Sequence, residues 1–166
     1  PEGFDAVLAL CLARGRGLLS GSTGLSDDQF KALHAAGARI PVLWASNFSL
    51  GVAVLDRLVA VAGKALPGWQ LDILETHHVH KKDAPSGTAL SLGRAAAAAS
   101  GHAPAYHSLR CGDVVGEHTV QFTGIGERIE LVHRATDRDI FAQGALFAAG
   151  KLAGKVNGVY QFGDLL

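Results

Sequence analysis

Leu71-Asp72-Ile73-Leu74-Glu75-Thr76-His77-His78-Val79-His80-Lys81-Lys82-Asp83-Ala84-Pro85-Ser86-Gly87-Thr88 is the stretch on which the reading of this chain turns. Trp69, Leu71 and Ile73 alternate with Gln70, Asp72 and Leu74, a period of two that predicts a strand. Pro85-Ser86 then opens an Ala-rich segment, residues 87–99, that predicts a helix; ordinary helix composition accounts for the alanine run at 95–99. Between strand and helix, positions 77–82 hold three of the eight histidines and two lysines. Loops in this position are where α/β folds place ligands.

The residue types suit an anionic substrate that must be protonated. Imidazole gives or takes a proton near neutrality, and a neighbouring ammonium lowers its pKa while supplying fixed positive charge. The helix start offers backbone N–H groups at Ser86, Gly87 and Thr88; Gly87 permits close approach and the Thr88 hydroxyl adds a donor. A carboxylate or a phosphate fits such a site, and the residues alone do not choose between them. A functionless basic loop would not need Pro-Ser-Gly-Thr at the helix start. No metal is expected: His78 and His80 share a strand face while His77 points away, no acid or cysteine stands at ligand spacing, and the lysines repel a cation.

Outward from this stretch the pattern is α/β. Phe4, Val7, Leu8 and Cys11 predict a helix that stops at Arg14-Gly15-Arg16-Gly17, and Leu18-Leu19 reads as a short strand entering Ser20-Gly21-Ser22-Thr23-Gly24. Ser26 and Gln29 stand at the capping-box offset before a second helix that reaches Gly37. Ile40-Pro41-Val42-Leu43-Trp44 reads as a buried strand running into Ala45-Ser46-Asn47-Phe48, and residues 49–65 as a helix. Val114–Thr123 and Glu127–Ala135 form a predicted antiparallel hairpin around Gly124-Ile125-Gly126, followed by a helix over 138–152 and an apolar end, Val159–Leu166, able to dock. The loops 21–24 and 45–48 would lie at the carboxyl edge of a parallel sheet, where a dinucleotide binds; turn chemistry with capping by Ser26 or Asn47 explains them equally well. Gly15-Arg16-Gly17 with Gly21 does not have the G-x-G-x-x-G spacing. Arg128, His133, Arg134 and Arg138 read as a solvated strand face by default, although an arginine able to fork onto a carboxylate would complement the helix start.

Composition narrows the class. The chain has 166 residues, 48% of them apolar and 18% charged, with 15 basic against 15 acidic side chains. That excludes a disordered tail, a collagen-like fibre and a polycationic nucleic-acid binder, so no nucleic-acid partner is expected. No apolar run reaches the ~18 residues of a membrane span and no secretory leader is visible, so a cytoplasmic protein without a membrane partner is expected. Cys11 and Cys111 read as buried small apolar residues, not a disulfide. The chain starts at Pro1, contains no Met and opens on a helix with no strand before it, which suggests a missing N-terminal part.

The run Glu75 to Ala89 resembles the signature of the bacterial dihydrodipicolinate reductases, now called 4-hydroxy-tetrahydrodipicolinate reductases. The resemblance extends over Gly21-Ser22-Thr23-Gly24, Ala45-Ser46-Asn47-Phe48, Gly116-Glu117-His118-Thr119, Gly126-Glu127-Arg128 and Arg138 through Gly144. It implies an α/β plus α+β fold: an incomplete Rossmann-like nucleotide domain joined to a substrate domain with an open mixed β-sheet. Residues 1–48 and the returning segment 139–166 would belong to the nucleotide domain, and 49–138 to the substrate and oligomerisation domain. It further implies reduction of a cyclic dicarboxylate with NADH or NADPH, in diaminopimelate and lysine biosynthesis, by a homotetramer.

Carried over by residue, the resemblance makes His77 the proton donor and Lys81 a second catalytic donor, with His78, Gly87 and Thr88 as substrate contacts. Gly21, Ser22 and Thr23 would touch the cofactor, Ala45, Ser46, Asn47 and Phe48 would lie against the nicotinamide, and Arg138 is a weaker match at the domain junction. Two departures stand out. The G-x-G-x-x-G fingerprint and the residue that selects NAD or NADP would precede Pro1. The stretch between Ser100 and Arg110 is shorter than in the family, through a natural deletion or through residues missing from this sequence. A non-catalytic fragment that binds a dicarboxylate without a complete cofactor site is the alternative.

Overall fold

The structure, a computed structural model, describes residues 1–166. In chain order its elements are α1 (Phe4–Arg14), β1 (Leu18–Ser20), α2 (Asp27–Ala36), β2 (Pro41–Trp44), α3 (Leu50–Ala65), β3 (Gln70–His77), α4 (Gly87–Ser100), β4 (Ala105–Arg110), β5 (Gly116–Thr123), β6 (Arg128–Ala135), α5 (Asp139–Leu152), β7 (Gly158–Tyr160) and a closing 3-10 turn, Phe162–Leu165. They form two compact units, one of Pro1–Ser49 with Phe141–Leu166 and one of Leu50–Ile140.

The first unit is built on a parallel sheet of order β1-β2-β7. α1 ends where Gly15 takes a left-handed φ of 59° and its N–H returns to the carbonyls of Cys11 and Leu12, a conformation that favours glycine. α2 starts with the expected reciprocal cap, Ser26 Oγ accepting from the Gln29 amide and Gln29 Oε1 accepting from the Ser26 amide. Phe4, Leu8, Leu18, Leu33, Ile40 and Val42 bury together as its core.

The second unit carries a mixed sheet of order β4-β3-β5-β6, with β3 parallel to β4 and antiparallel to β5. α3 and α4 cover one face. Leu55 and Val59 from α3, Leu92 and Ala96 from α4, Ile73 from β3 and Phe122 from β5 close the core. Complete burial of an aliphatic or aromatic side chain contributes about 1.5–3 kcal/mol, so this cluster holds the layer together. The alanine run has a packing role: a Cβ at Gly63 would stand 2.9 Å from Cβ of Ala99 and 3.3 Å from the Ala96 carbonyl, so α3 and α4 touch along small residues.

Several expectations change. β4 occupies the stretch read as a shortened connection, and its pairing with β3 runs unbroken from Asp72 opposite Ala105 to His77 opposite Arg110. β7 was not foreseen either; a three-residue strand leaves too short a trace of alternation to be read locally. The hairpin begins at Gly116, not Val114, and β3 runs on through Glu75, Thr76 and His77. Both cysteines are free, but Cys111 is exposed in the turn after β4 and Cys11 half-buried on α1, against the expectation that both are buried.

Candidate active site

β3 and the start of α4 converge through one side chain. Glu75 points to the helix-covered face of the mixed sheet, with no exposed side-chain surface, and its carboxylate is gripped by the Arg110 guanidinium: Nη1 donates to Oε2 and Nη2 to Oε1, each at 2.9 Å. Oε1 also accepts the Ser86 amide at 3.3 Å, and Oε2 faces Nδ1 of His77. Burial alone would push the Glu75 carboxyl up; hydrogen bonds from Arg110, Ser108 and His77 outweigh it and hold the group at about 2. It is an ionised carboxylate inside the fold.

His77 ends the strand two residues further along the same face and is only 8% exposed. Burial pushes its pKa below that of free imidazole; Glu75 pulls it back up, while Lys81 and Arg110 push it down. Its ring meets that of His118 edge to face, with centroids 5.1 Å apart. His118 lies opposite Glu75 in the sheet register, and burial drives its pKa to about 4, so it is neutral at pH 7. Nε2 of His118 lies 2.9 Å from Ser86 Oγ, the oxygen that caps α4 by accepting the Ala89 amide at 3.1 Å.

The loop between strand and helix sits over this layer. Lys81 Nζ donates to Asp83 Oδ1 at 2.8 Å, an ion pair that lowers the Asp83 carboxyl. Arg110 ties the loop down, donating from Nη2 to the Asp83 carbonyl at 2.7 Å and from Nε to the Lys81 carbonyl at 3.3 Å. His78 is half-buried and its ring centroid lies 6.2 Å from that of His80; both belong to the loop, so the shared strand face expected for them does not exist. Gly87 is exposed, and a Cβ there would meet nothing within 4 Å, so the helix start is open to a ligand at that residue. Thr88 is half-buried beside it. The Ser86 amide is not free for a ligand, contrary to expectation, because Glu75 takes it.

An arginine fork is present, but it is made by Arg110, which was not foreseen, and it closes on the chain's own Glu75, whereas Arg128 and Arg134 lie on the solvated face read as their default. Arg128 pairs with Glu130 at 2.9 Å and Arg134 with Glu117 at 3.3 Å, both exposed pairs on the hairpin. Glu75, Arg110 and His118 were missed as site residues. For Glu75 a local signal existed, since an acid two positions before His77 on a strand must share its face. For Arg110 and His118 none did, because their neighbours are set by strand pairing.

In the first unit the loops after β1 and β2 come together. A Cβ at Gly21 would stand 3.2 Å from the Phe48 ring, Trp44 Nε1 donates to the Ser22 carbonyl at 2.7 Å, and the Ser49 amide donates to Asn47 Oδ1 at 2.7 Å. Gly21, Thr23 and Ser46 are exposed, Ser22, Ala45 and Asn47 half-buried. Phe48 is buried against Phe162, ring centroids 5.3 Å apart, so its side chain braces the loop from inside.

Sequence models of the two halves of one enzyme match nearly the whole chain: dihydrodipicolinate reductase, N-terminus, over residues 1–48 and dihydrodipicolinate reductase, C-terminus, over residues 51–166. The chain belongs to the dihydrodipicolinate reductase family. The 4-hydroxy-tetrahydrodipicolinate reductase of Stenotrophomonas maltophilia (strain K279a) is 68% identical over 166 residues, which are all of this chain and 69% of that protein. The enzyme of the same name from Xylella fastidiosa (strain 9a5c) is 61% identical, again over the whole chain and 70% of its own length. Among solved structures, a dipicolinate-bound dihydrodipicolinate reductase from Paenisporosarcina sp. TG-14 superposes with a TM-score of 0.86 at 23% identity, over the whole of this chain and 71% of that one. This likeness shows that the chain has the reductase fold. Dihydrodipicolinate reductases use a pyridine nucleotide, and the family's activity is a reductase step of lysine and diaminopimelate biosynthesis.

Proposed function

We propose that this chain reduces 4-hydroxy-tetrahydrodipicolinate to tetrahydrodipicolinate, with NADH or NADPH as reductant, in diaminopimelate and lysine biosynthesis. The observation that carries the reading is the Glu75 carboxylate, which joins the end of β3, bearing His77, to the start of α4 at Ser86. A proton donor and an anion-binding helix end are thereby drawn to one place. The Leu50–Ile140 unit is assigned the substrate and the other unit the nucleotide.

When bound, the reduced nucleotide supplies a hydride to a conjugated ring carbon, while the 4-hydroxyl leaves the substrate as water. His77, assisted by Lys81, gives the proton that completes the reduction, a contribution of about 10²- to 10⁴-fold in rate. Gly87 and Thr88 hold one carboxylate at the helix start, and His78 orients the ring. A dianion seated there favours the charged imidazole and offsets the effect of burial on His77. Two carboxylates on a small ring explain why a chain of zero formal charge concentrates its cations here.

The residues fit the cofactor in part. Gly21, Ser22, Thr23 and the 45–48 loop lie at the carboxyl ends of parallel strands, where a nicotinamide half is held in such folds. No G-x-G-x-x-G run to receive a pyrophosphate occurs within these 166 residues. No helix is long and apolar enough to cross a membrane, and we place the enzyme in the cytoplasm as a homotetramer. Calorimetry of the chain with NADH and with pyridine-2,6-dicarboxylate tests the reading: binding of both supports the reductase, dicarboxylate binding alone supports a substrate-binding fragment, and no dicarboxylate binding overturns the site.

A further inference from the structure

Glu75 has the attributes of a group that sets the state of its neighbour. Its side chain has no exposed surface, and both its oxygens are occupied by donors from three residues: Arg110 of β4, the Ser86 amide at the start of α4, and His77 further along its own strand β3. An ionised carboxylate can only accept hydrogen bonds, so the His77 nitrogen facing it must carry a hydrogen. The second ring nitrogen of His77 points elsewhere: a Cβ at Gly116 would stand 3.0 Å from Nε2, and glycine leaves that space clear.

We propose that Glu75, clamped by Arg110, is the positioning residue for His77: it fixes the hydrogen on Nδ1 and so makes Nε2 the atom that delivers the proton to substrate. This rests on the reading of His77 as the donor. In the step itself the Nε2–H bond of the imidazolium breaks, its electron pair stays on nitrogen and a C–H bond forms on the substrate. The imidazole left behind is the Nδ1–H tautomer that Glu75 already stabilises, so no ring flip is needed. The charged and titratable groups facing His77 are Glu75 from β3, Arg110 from β4, Lys81 with its partner Asp83 from the loop, and His118 from β5. Of these, Glu75 is the anion in contact with the ring, and it opposes burial, Lys81 and Arg110.

The test is long-range proton–nitrogen NMR of the histidine-labelled chain across pH, which needs neither cofactor nor turnover. In the native chain neutral His77 is expected with hydrogen on Nδ1. In Glu75→Gln its pKa falls by about one pH unit or more, the effect of removing an adjacent opposite charge, and the tautomers mix. Arg110→Met removes a cation but leaves Glu75, so there the His77 pKa rises and the Nδ1 tautomer persists; Glu75→Asp, which keeps the charge, restores most of the native pKa. Opposite shifts in the glutamine and methionine variants support positioning, whereas a merely structural pair would disturb His77 alike in both. Hydrogen on Nε2 in the native chain, or an unmoved pKa in Glu75→Gln, overturns the proposal. If Glu75→Gln does not fold, the direction of the Arg110→Met shift decides. These outcomes are independent of turnover, so loss of the catalytic reading of His77 is told apart from loss of the positioning role.

Discussion

Oγ of Ser86 serves two elements at once, capping α4 through the Ala89 amide at 3.1 Å and meeting Nε2 of His118 on β5 at 2.9 Å. The helix whose N-terminus is the proposed anion site is therefore anchored to the sheet by the same atom that starts it. Ser86→Ala removes the cap, about 1–2 kcal/mol, and leaves a buried histidine nitrogen without its partner, about 1–3 kcal/mol more. A thermal melt should show Tm lower by several degrees, at about 2–4 °C per kcal/mol for a chain of this size. An unchanged Tm would deny Ser86 its double role.

His77→Ala removes the proposed donor without touching the loops after β1 and β2. In the reductase assayed with NADH, kcat should fall by about tenfold or more, in keeping with loss of general acid catalysis, while the affinity for NADH stays near native. Native kcat in this variant would take His77 out of the mechanism.

Acid should weaken the fold in two overlapping stages. His118 titrates near 4 in the fold against 6.5 unfolded, so the unfolded chain binds more protons and stability drops as pH falls from about 6.5 towards 4. Glu75 titrates near 2 against 4.5 unfolded, which extends the loss from about 4.5 down towards 2. Urea midpoints measured from pH 7 to pH 3 should fall throughout, and His118→Gln should flatten the upper stage. A midpoint independent of pH in that range contradicts both the burial of His118 and the hydrogen bonding that keeps Glu75 ionised.

Gly144 lies on α5 where a Cβ would run into the backbone carbonyl of Phe48. Backbone cannot swing aside as a flexible side chain can, so Gly144→Ala should cost about 1–3 kcal/mol through overpacking, despite alanine's better helix propensity. Chemical denaturation measures this directly. A gain in stability would mean that the contact relaxes without cost.

Cys111 is exposed and Cys11 half-buried on α1. Under native conditions a thiol reagent should modify Cys111 first, with Cys111→Ser removing the fast phase. Equal rates at both positions would contradict this difference in exposure.

What could be read along the chain depended on how local the cause was. The Ser26–Gln29 cap and the stop at Gly15 are interactions among residues a few positions apart, and both stand as read. Glu75 shares a strand face with His77 and was within reach of the same argument. Arg110 was not: it lies 35 positions from Glu75, on a strand whose mixed exposure shows no clean alternation.

By itself the sequence determined the strand-loop-helix order of residues 70–100, the cluster of imidazoles and amines within it, and the family signature that runs through them. These follow from periodicity, capping and side-chain chemistry, which act over a turn of helix or a pair of strand residues. Only the tertiary structure decided that β4 lies parallel to β3, that the arginine fork closes on Glu75, that the Ser86 amide is spent on that carboxylate, and that His118 stays neutral beside it. The physical reason is that register and burial do not exist until strands pair. Those two quantities set which charges meet and what each costs to bury.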